Sequence, residues 1–106
     1  MQNARITLHP NQQRMQVQFE GILLADATNT LELLEYGYPP SHYFPREDVR
    51  MDLLTASETT TYCPFKGYAM YFSLTESRDI AWSYEEPIEG MEAIAGRVAF
   101  YEEACE

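Results

Sequence analysis

Apolar and polar residues alternate with a period of two along much of this chain. Met15-Gln16-Val17-Gln18-Phe19 puts Met, Val and Phe on one face, the signature of a half-buried strand. Arg5-Ile6-Thr7-Leu8 alternates in the same way, and His9-Pro10-Asn11 is expected to turn the chain. Gly21 interrupts the next run and Ile22-Leu23-Leu24-Ala25 resumes it, so Val17 to Ala25 reads as a hairpin. Asp26-Ala27-Thr28-Asn29 turns again. Thr30 to Glu35 fits strand or helix by pattern, but its flanking turns leave too few residues for a stable helix, so a strand is expected.

The segment from Tyr36 to Asp48 carries Pro39, Pro40 and Pro45, which bars a continuous central strand. Tyr43-Phe44 is expected as a short strand and Arg46-Glu47-Asp48 as a helical turn opened by Pro45 at its first position. Val49 to Leu54 alternates weakly. Thr59-Thr60-Thr61-Tyr62 is β-branched and aromatic and reads as strand, closed by a turn at Pro64 and Gly67. Tyr68 to Leu74 follows as strand. Ile80-Ala81-Trp82-Ser83-Tyr84 is expected to put Ile, Trp and Tyr on one face. A single helical turn is expected around Met91 to Ile94 and a last strand over Val98 to Tyr101. Short strands separated by turns every ~8–12 residues indicate an all-β domain, a sandwich, barrel or tent.

Length and composition narrow the picture. A chain of 106 residues makes one domain with one core, so 1–106 is read as a single unit. A formal net charge of −10 argues against nucleic-acid phosphates and anionic lipid as partners and favours a monomer or small homo-oligomer. No apolar run nears the ~20 residues needed to span a bilayer. The first residues, Met1-Gln2-Asn3-Ala4-Arg5, are not a basic-then-apolar leader, so a soluble, cytoplasmic protein is expected. Two cysteines, Cys63 and Cys105, make neither a disulfide framework nor a four-cysteine zinc site, and no cofactor or metal is expected.

Candidate chemistry gathers in two stretches, Tyr38 to Val49 and Thr59 to Gly67. Arg46, Arg50 and Lys66 belong to them or adjoin them, out of only seven basic residues in an acidic chain. Arg46 presents a planar fork suited to a carboxylate or phosphate, and Asp48 or Glu47 can act as base or metal ligand. The bland alternative is that Asp48 caps the turn and Arg46 pairs with an acidic neighbour. Cys63 precedes Pro64 and lies three residues from Lys66, and a nearby cation raises the thiolate fraction of a cysteine. The alternative for Cys63 is a small buried residue at a strand end. Tyr43, Trp82 and Tyr84 are the aromatic residues expected to wall a pocket, against the alternative that such rings simply fill the core.

Pro-Pro-x-x-Tyr-Phe-Pro-Arg-Glu-Asp-Val (39–49), Thr-Tyr-Cys-Pro-Phe-Lys-Gly (61–67), Ala-Trp-Ser-Tyr-Glu-Glu-Pro (81–87) and Ile-Ala-Gly-Arg-Val-Ala-Phe-Tyr (94–101) stand in this order. Together they closely resemble the domain-of-unknown-function 427 family, which also carries the label nucleotidyltransferase-like, over roughly residues 15–103. The resemblance implies a β-tent, in which two antiparallel sheets lean together. Many proteins of that architecture hold zinc between paired Cys-x-x-Cys knuckles; this chain has no such pair, and zinc is not carried over. No catalytic residue is transferred either.

The expected function is the binding of a small anionic or planar ligand in an aromatic-lined cleft, with Tyr43, Arg46, Asp48, Lys66, Trp82 and Tyr84 as its lining. The alternatives are a thiol-based enzyme using Cys63, with Cys105 to resolve it, and a protein-interaction module presenting the Pro-aromatic loop. Nucleotidyl transfer ranks last, since only Glu47 and Asp48 offer metal-binding carboxylates and no Gly-rich loop cradles a phosphate. The spatial expectation is that Arg46, Lys66 and Cys63 meet at one hollow.

Overall fold

A computed structural model describes residues 5–74 and 79–101. The strands in chain order are β1 (Ile6–Asn11), β2 (Met15–Phe19), β3 (Ile22–Ala27), β4 (Thr30–Glu35), β5 (Ser41–Tyr43), β6 (Leu54–Cys63), β7 (Gly67–Leu74), β8 (Asp79–Ser83) and β9 (Val98–Phe100). Short 3-10 turns at Arg46–Asp48, Met51–Leu53 and Glu92–Ile94 are the only helical pieces among the described residues. The all-β reading of the alternating pattern is therefore the observed class. Among the described residues no helix is long and apolar enough to cross a membrane.

All pairings are antiparallel. The two larger sheets run β1-β4-β5 and β6-β7-β8-β9, and the β2–β3 hairpin pairs separately. Two single bridges stitch these pieces together. Phe44 pairs with Val98, joining the larger sheets, and Ala25 pairs with Val49, tying the hairpin to the chain beyond the first 3-10 turn.

The four-stranded sheet carries a core on each face, because alternate side chains on a strand point opposite ways. Along β9, Val98 and Phe100 join one cluster with Val17, Leu24, Phe44 and Phe72. Ala99 between them joins the other, with Leu31, Leu33, Tyr43 and Tyr84. The hairpin thus covers one face and the β1-β4-β5 sheet the other. All three residues of β9 are buried, as a strand covered on both sides must be.

Several elements depart from the sequence pattern. β1 continues through His9-Pro10 to Asn11 instead of turning there. It is the edge strand of its sheet, and an edge strand tolerates a proline that cannot donate to the ladder. Pro45 stands just before the 3-10 turn, in extended geometry (φ −56, ψ 137), rather than at its first position. Val49 makes one bridge and Met51–Leu53 turns, so the weak alternation after Val49 is no strand until Leu54. Ile80 does not share a face with Trp82 and Tyr84. The β7–β8 register slips at Phe72/Ser73, pairing Phe72 with Ala81 and Ser73 with Asp79 and leaving Ile80 out of the ladder. Such a bulge re-aims side chains, and Ile80 packs into the hairpin-side core while Trp82 and Tyr84 pack on the other side.

Candidate functional site

The site geometry begins with the bridge between Phe44 and Val98. Each residue donates its backbone N–H to the other's carbonyl, at 2.8 and 3.0 Å. An antiparallel bridge sets flanking residues opposite one another, so Pro45 and Arg46 face Arg97 and Gly96. The chain then turns tightly on both sides. Arg46–Asp48 forms its 3-10 turn, and Gly96, at φ 75, occupies the left-handed region that a glycine enters without steric cost.

The result is an open concavity of about 320 Å³ lined by Asn29, Pro45, Arg46, Glu47, Ala95, Gly96 and Arg97. Two arginines are among its lining residues, in an acidic chain with only seven basic residues. Arg46 donates through Nη1 to Glu85 Oε2 at 2.8 Å and to the Gly96 carbonyl at 3.0 Å. Its guanidinium also lies over the Phe72 ring, 5.5 Å from the centroid. Arg97 donates through Nη1 to the carbonyls of Asn29 at 3.1 Å and Tyr43 at 3.2 Å.

Both groups are anchored by Nη1 alone. Nε and Nη2, the side-on fork, have no acceptor on either arginine among the described residues. Two other arginines show what that fork does when a carboxylate is present. Arg14 donates from Nε and Nη2 to the two oxygens of Asp26, at 2.9 and 2.7 Å. Arg50 does the same to Asp52, at 2.9 and 2.8 Å. Bidentate forks of this kind are the strong mode of oxyanion recognition. Arg46 and Arg97, which line one hollow, have theirs without a protein acceptor among the described residues.

A second constellation lies on the other face of the four-stranded sheet. Lys66, in the turn between β6 and β7, donates from Nζ to Glu35 Oε1 at 2.7 Å, and each of these side chains is only 11% exposed. Trp82 Nε1 donates to the Tyr43 hydroxyl at 3.0 Å, with the two rings edge-on at 6.4 Å. Tyr84 packs on Tyr43 at 6.5 Å. Burial pushes the hydroxyl pKa of Tyr43 up, with the Trp82 hydrogen bond opposing it only in part. Burial likewise raises that of Tyr84, and the neighbouring Tyr43 and Cys63 add to the shift. Cys63, at the end of β6, is half-buried beside these hydroxyls.

The expected meeting of Arg46, Lys66 and Cys63 therefore does not occur at this concavity, to which neither Lys66 nor Cys63 contributes. The cause is that each cation is claimed by a different carboxylate, Glu85 for Arg46 and Glu35 for Lys66. The rings expected to wall a pocket pack on one another instead. Tyr43 at 1% and Tyr84 at 6% exposure are core, and Trp82 is half-buried against them. Asp48 accepts no cap bond and stands outside the concavity lining, whereas its neighbour Glu47 is in it. Both histidines are engaged elsewhere: His9 with the Thr7 hydroxyl and His42 beside Glu32. Cys105 lies outside the described residues. Among the described residues no group of three or more His, Cys, Asp or Glu side chains could hold a metal ion.

Arg97 is the residue that the sequence reading passed over. It sits in the Gly96-Arg97 step of a motif already singled out, and it is a scarce cation like Arg46 and Lys66 but without the proline-ordered turn that drew attention to those two.

With this geometry in place, the chain's relations to known proteins can be stated. A model of the family described as Domain of unknown function (DUF427) matches residues 7–106, so the chain belongs to that family. The match extends beyond residues 15–103 at both ends. No curated protein matches the chain.

Proposed function

We propose that this protein is a binding domain for a small anionic molecule, taken up in the concavity between Arg46 and Arg97. One observation carries the reading: two arginines line the same hollow of about 320 Å³, and the side-on fork of each has no protein acceptor among the described residues. That volume falls at the lower end of the ~300–1,000 Å³ range of small-molecule pockets. Both arginines are positioned before any ligand arrives, by carbonyls of the bridge region and by the Phe72 ring, so little side-chain entropy is lost on binding. Glu85 offsets much of the charge of Arg46 but leaves its donors free, so recognition rests on directed hydrogen bonds more than on a positive field.

The ligand is anionic rather than planar, because no ring is among the lining residues. The aromatic cluster around Tyr43 then serves the core, and through the Tyr43 carbonyl it holds Arg97 in place. Isothermal titration with inorganic phosphate and with succinate tests the reading. Heat of binding that is lost in both Arg46→Lys and Arg97→Lys is the expected result, since lysine keeps the charge but has no fork. Equal binding by the wild type and both variants would show that any anion taken up sits elsewhere.

A further inference from the structure

Resting on that reading, we infer that the ligand is a phosphomonoester of a small polyhydroxy compound, of the sugar-phosphate class. The unused Nε and Nη2 of Arg46 and of Arg97 make two forks on two residues that line one hollow. One carboxylate satisfies a single fork, as Asp26 does for Arg14. A phosphate ester presents three terminal oxygens on one atom and can engage both forks together.

The remaining lining restricts the body of the molecule. Glu47 is exposed at the hollow, and its carboxylate has no hydrogen bond or ion pair among the described residues. A carboxylate is an acceptor only, so it selects hydroxyl or ammonium groups and repels a second acid. The Asn29 side chain adds an amide with both donor and acceptor capacity, also without a partner among the described residues. Pro45, Ala95 and Gly96 supply the rest of the wall, with neither an aromatic face for a base to stack on nor a large apolar surface for an acyl chain. A hydroxylated body on a phosphate head satisfies this pattern. The base of a nucleotide and the chain of a fatty acyl phosphate find no surface there to pack on.

Titration calorimetry on the full chain with glucose 6-phosphate, inorganic phosphate, glucose, AMP and alanine decides the matter. Glucose 6-phosphate is expected to bind more tightly than phosphate, by about tenfold for two or three added hydroxyl hydrogen bonds. Free glucose is expected to give no heat, AMP to bind no tighter than phosphate, and alanine to bind more weakly than either ester. Glu47→Ala is expected to shrink the advantage of glucose 6-phosphate over phosphate, with phosphate itself bound no more weakly, since a neighbouring negative charge is removed. Glu47 is exposed and unpartnered, so that variant folds as the wild type does. Phosphate binding that depends on Arg46 and Arg97, with glucose 6-phosphate no tighter or with AMP or alanine tighter, overturns the sugar-phosphate class and leaves the anion reading standing. Absence of binding by every anion, or binding indifferent to Arg46→Lys and Arg97→Lys, overturns both.

Discussion

Arg46 and Arg97 clamp each other's chain segments across the Phe44–Val98 bridge. Arg46 reaches the carbonyl of Gly96, next to Arg97, and Arg97 reaches the carbonyl of Tyr43, next to the bridge residue Phe44. The same bonds that pose the two guanidinium groups for a ligand also hold the larger sheets together at their junction. Arg97→Ala is expected to cost about 2 kcal/mol, the scale of hydrogen bonds from a charged donor. Arg46→Ala is expected to cost about 1 kcal/mol, because its partner Glu85 is a third exposed and regains water. Urea denaturation of both variants measures this; an Arg97→Ala protein as stable as the wild type would show that the bridge stands without its clamp.

The Glu35–Lys66 pair obeys a different rule. Both side chains are almost excluded from water, at 11% exposure each. Removing one partner strands a desolvated charge, so Glu35→Ala alone is expected to destabilise by about 3 kcal/mol or more. Replacing both together, as Glu35→Leu with Lys66→Met, is expected to recover most of that loss. A double variant no more stable than the single one contradicts this account, and chemical denaturation gives the answer directly.

Ser83 is wholly buried, and its hydroxyl has no hydrogen-bond partner among the described residues. It stands on β8 opposite Met70 and Val98. An unmade buried hydrogen bond costs free energy, so Ser83→Ala is expected to be neutral or to stabilise by up to about 1 kcal/mol. A clear fall in melting temperature for this variant would reveal a partner for the hydroxyl.

Acid titration reports on the hairpin. Hydrogen bonds from Arg14, and then from Gln16, hold the Asp26 carboxyl down at about 2 from an ordinary 3.8. A carboxylate depressed in the folded state stabilises the fold above its unfolded pKa, and that contribution is lost as pH falls from 3.8 towards 2. Stability of the wild type is therefore expected to drop more steeply through this window than that of Asp26→Asn. Added salt should flatten the difference, since the pair is exposed to solvent. Parallel curves for the two proteins would remove Asp26 from the acid response.

Strands were legible wherever local patterning was strong. Met15 to Phe19 alternates cleanly, Thr30 to Glu35 is too short between its turns for a stable helix, Tyr68 to Leu74 is rich in aromatic residues, and all three appear as strands close to their expected bounds. The misplaced features have nonlocal causes. Pro10 stays in β1 because that strand lies at a sheet edge, and Ile80 leaves its expected face because of a slip against β7. Neither edge position nor register with a distant strand is written in a local window. The candidate chemistry was legible in kind but not in grouping. Scarcity picked out Arg46 and Lys66 as cations of interest, and applied evenly it would have picked out Arg97.

The chain's alternation, its prolines and its few cations by themselves determined an all-β domain and a short roster of residues able to meet an anion. Only the tertiary structure decided that Arg46 joins Arg97 rather than Lys66. That choice depends on one bridge between Phe44 and Val98 and on which carboxylate claims each cation. Pairings of this sort are set by burial and register across segments some 50 residues apart, as in the bond from Arg46 to Gly96, and side-chain chemistry alone does not choose among the available partners.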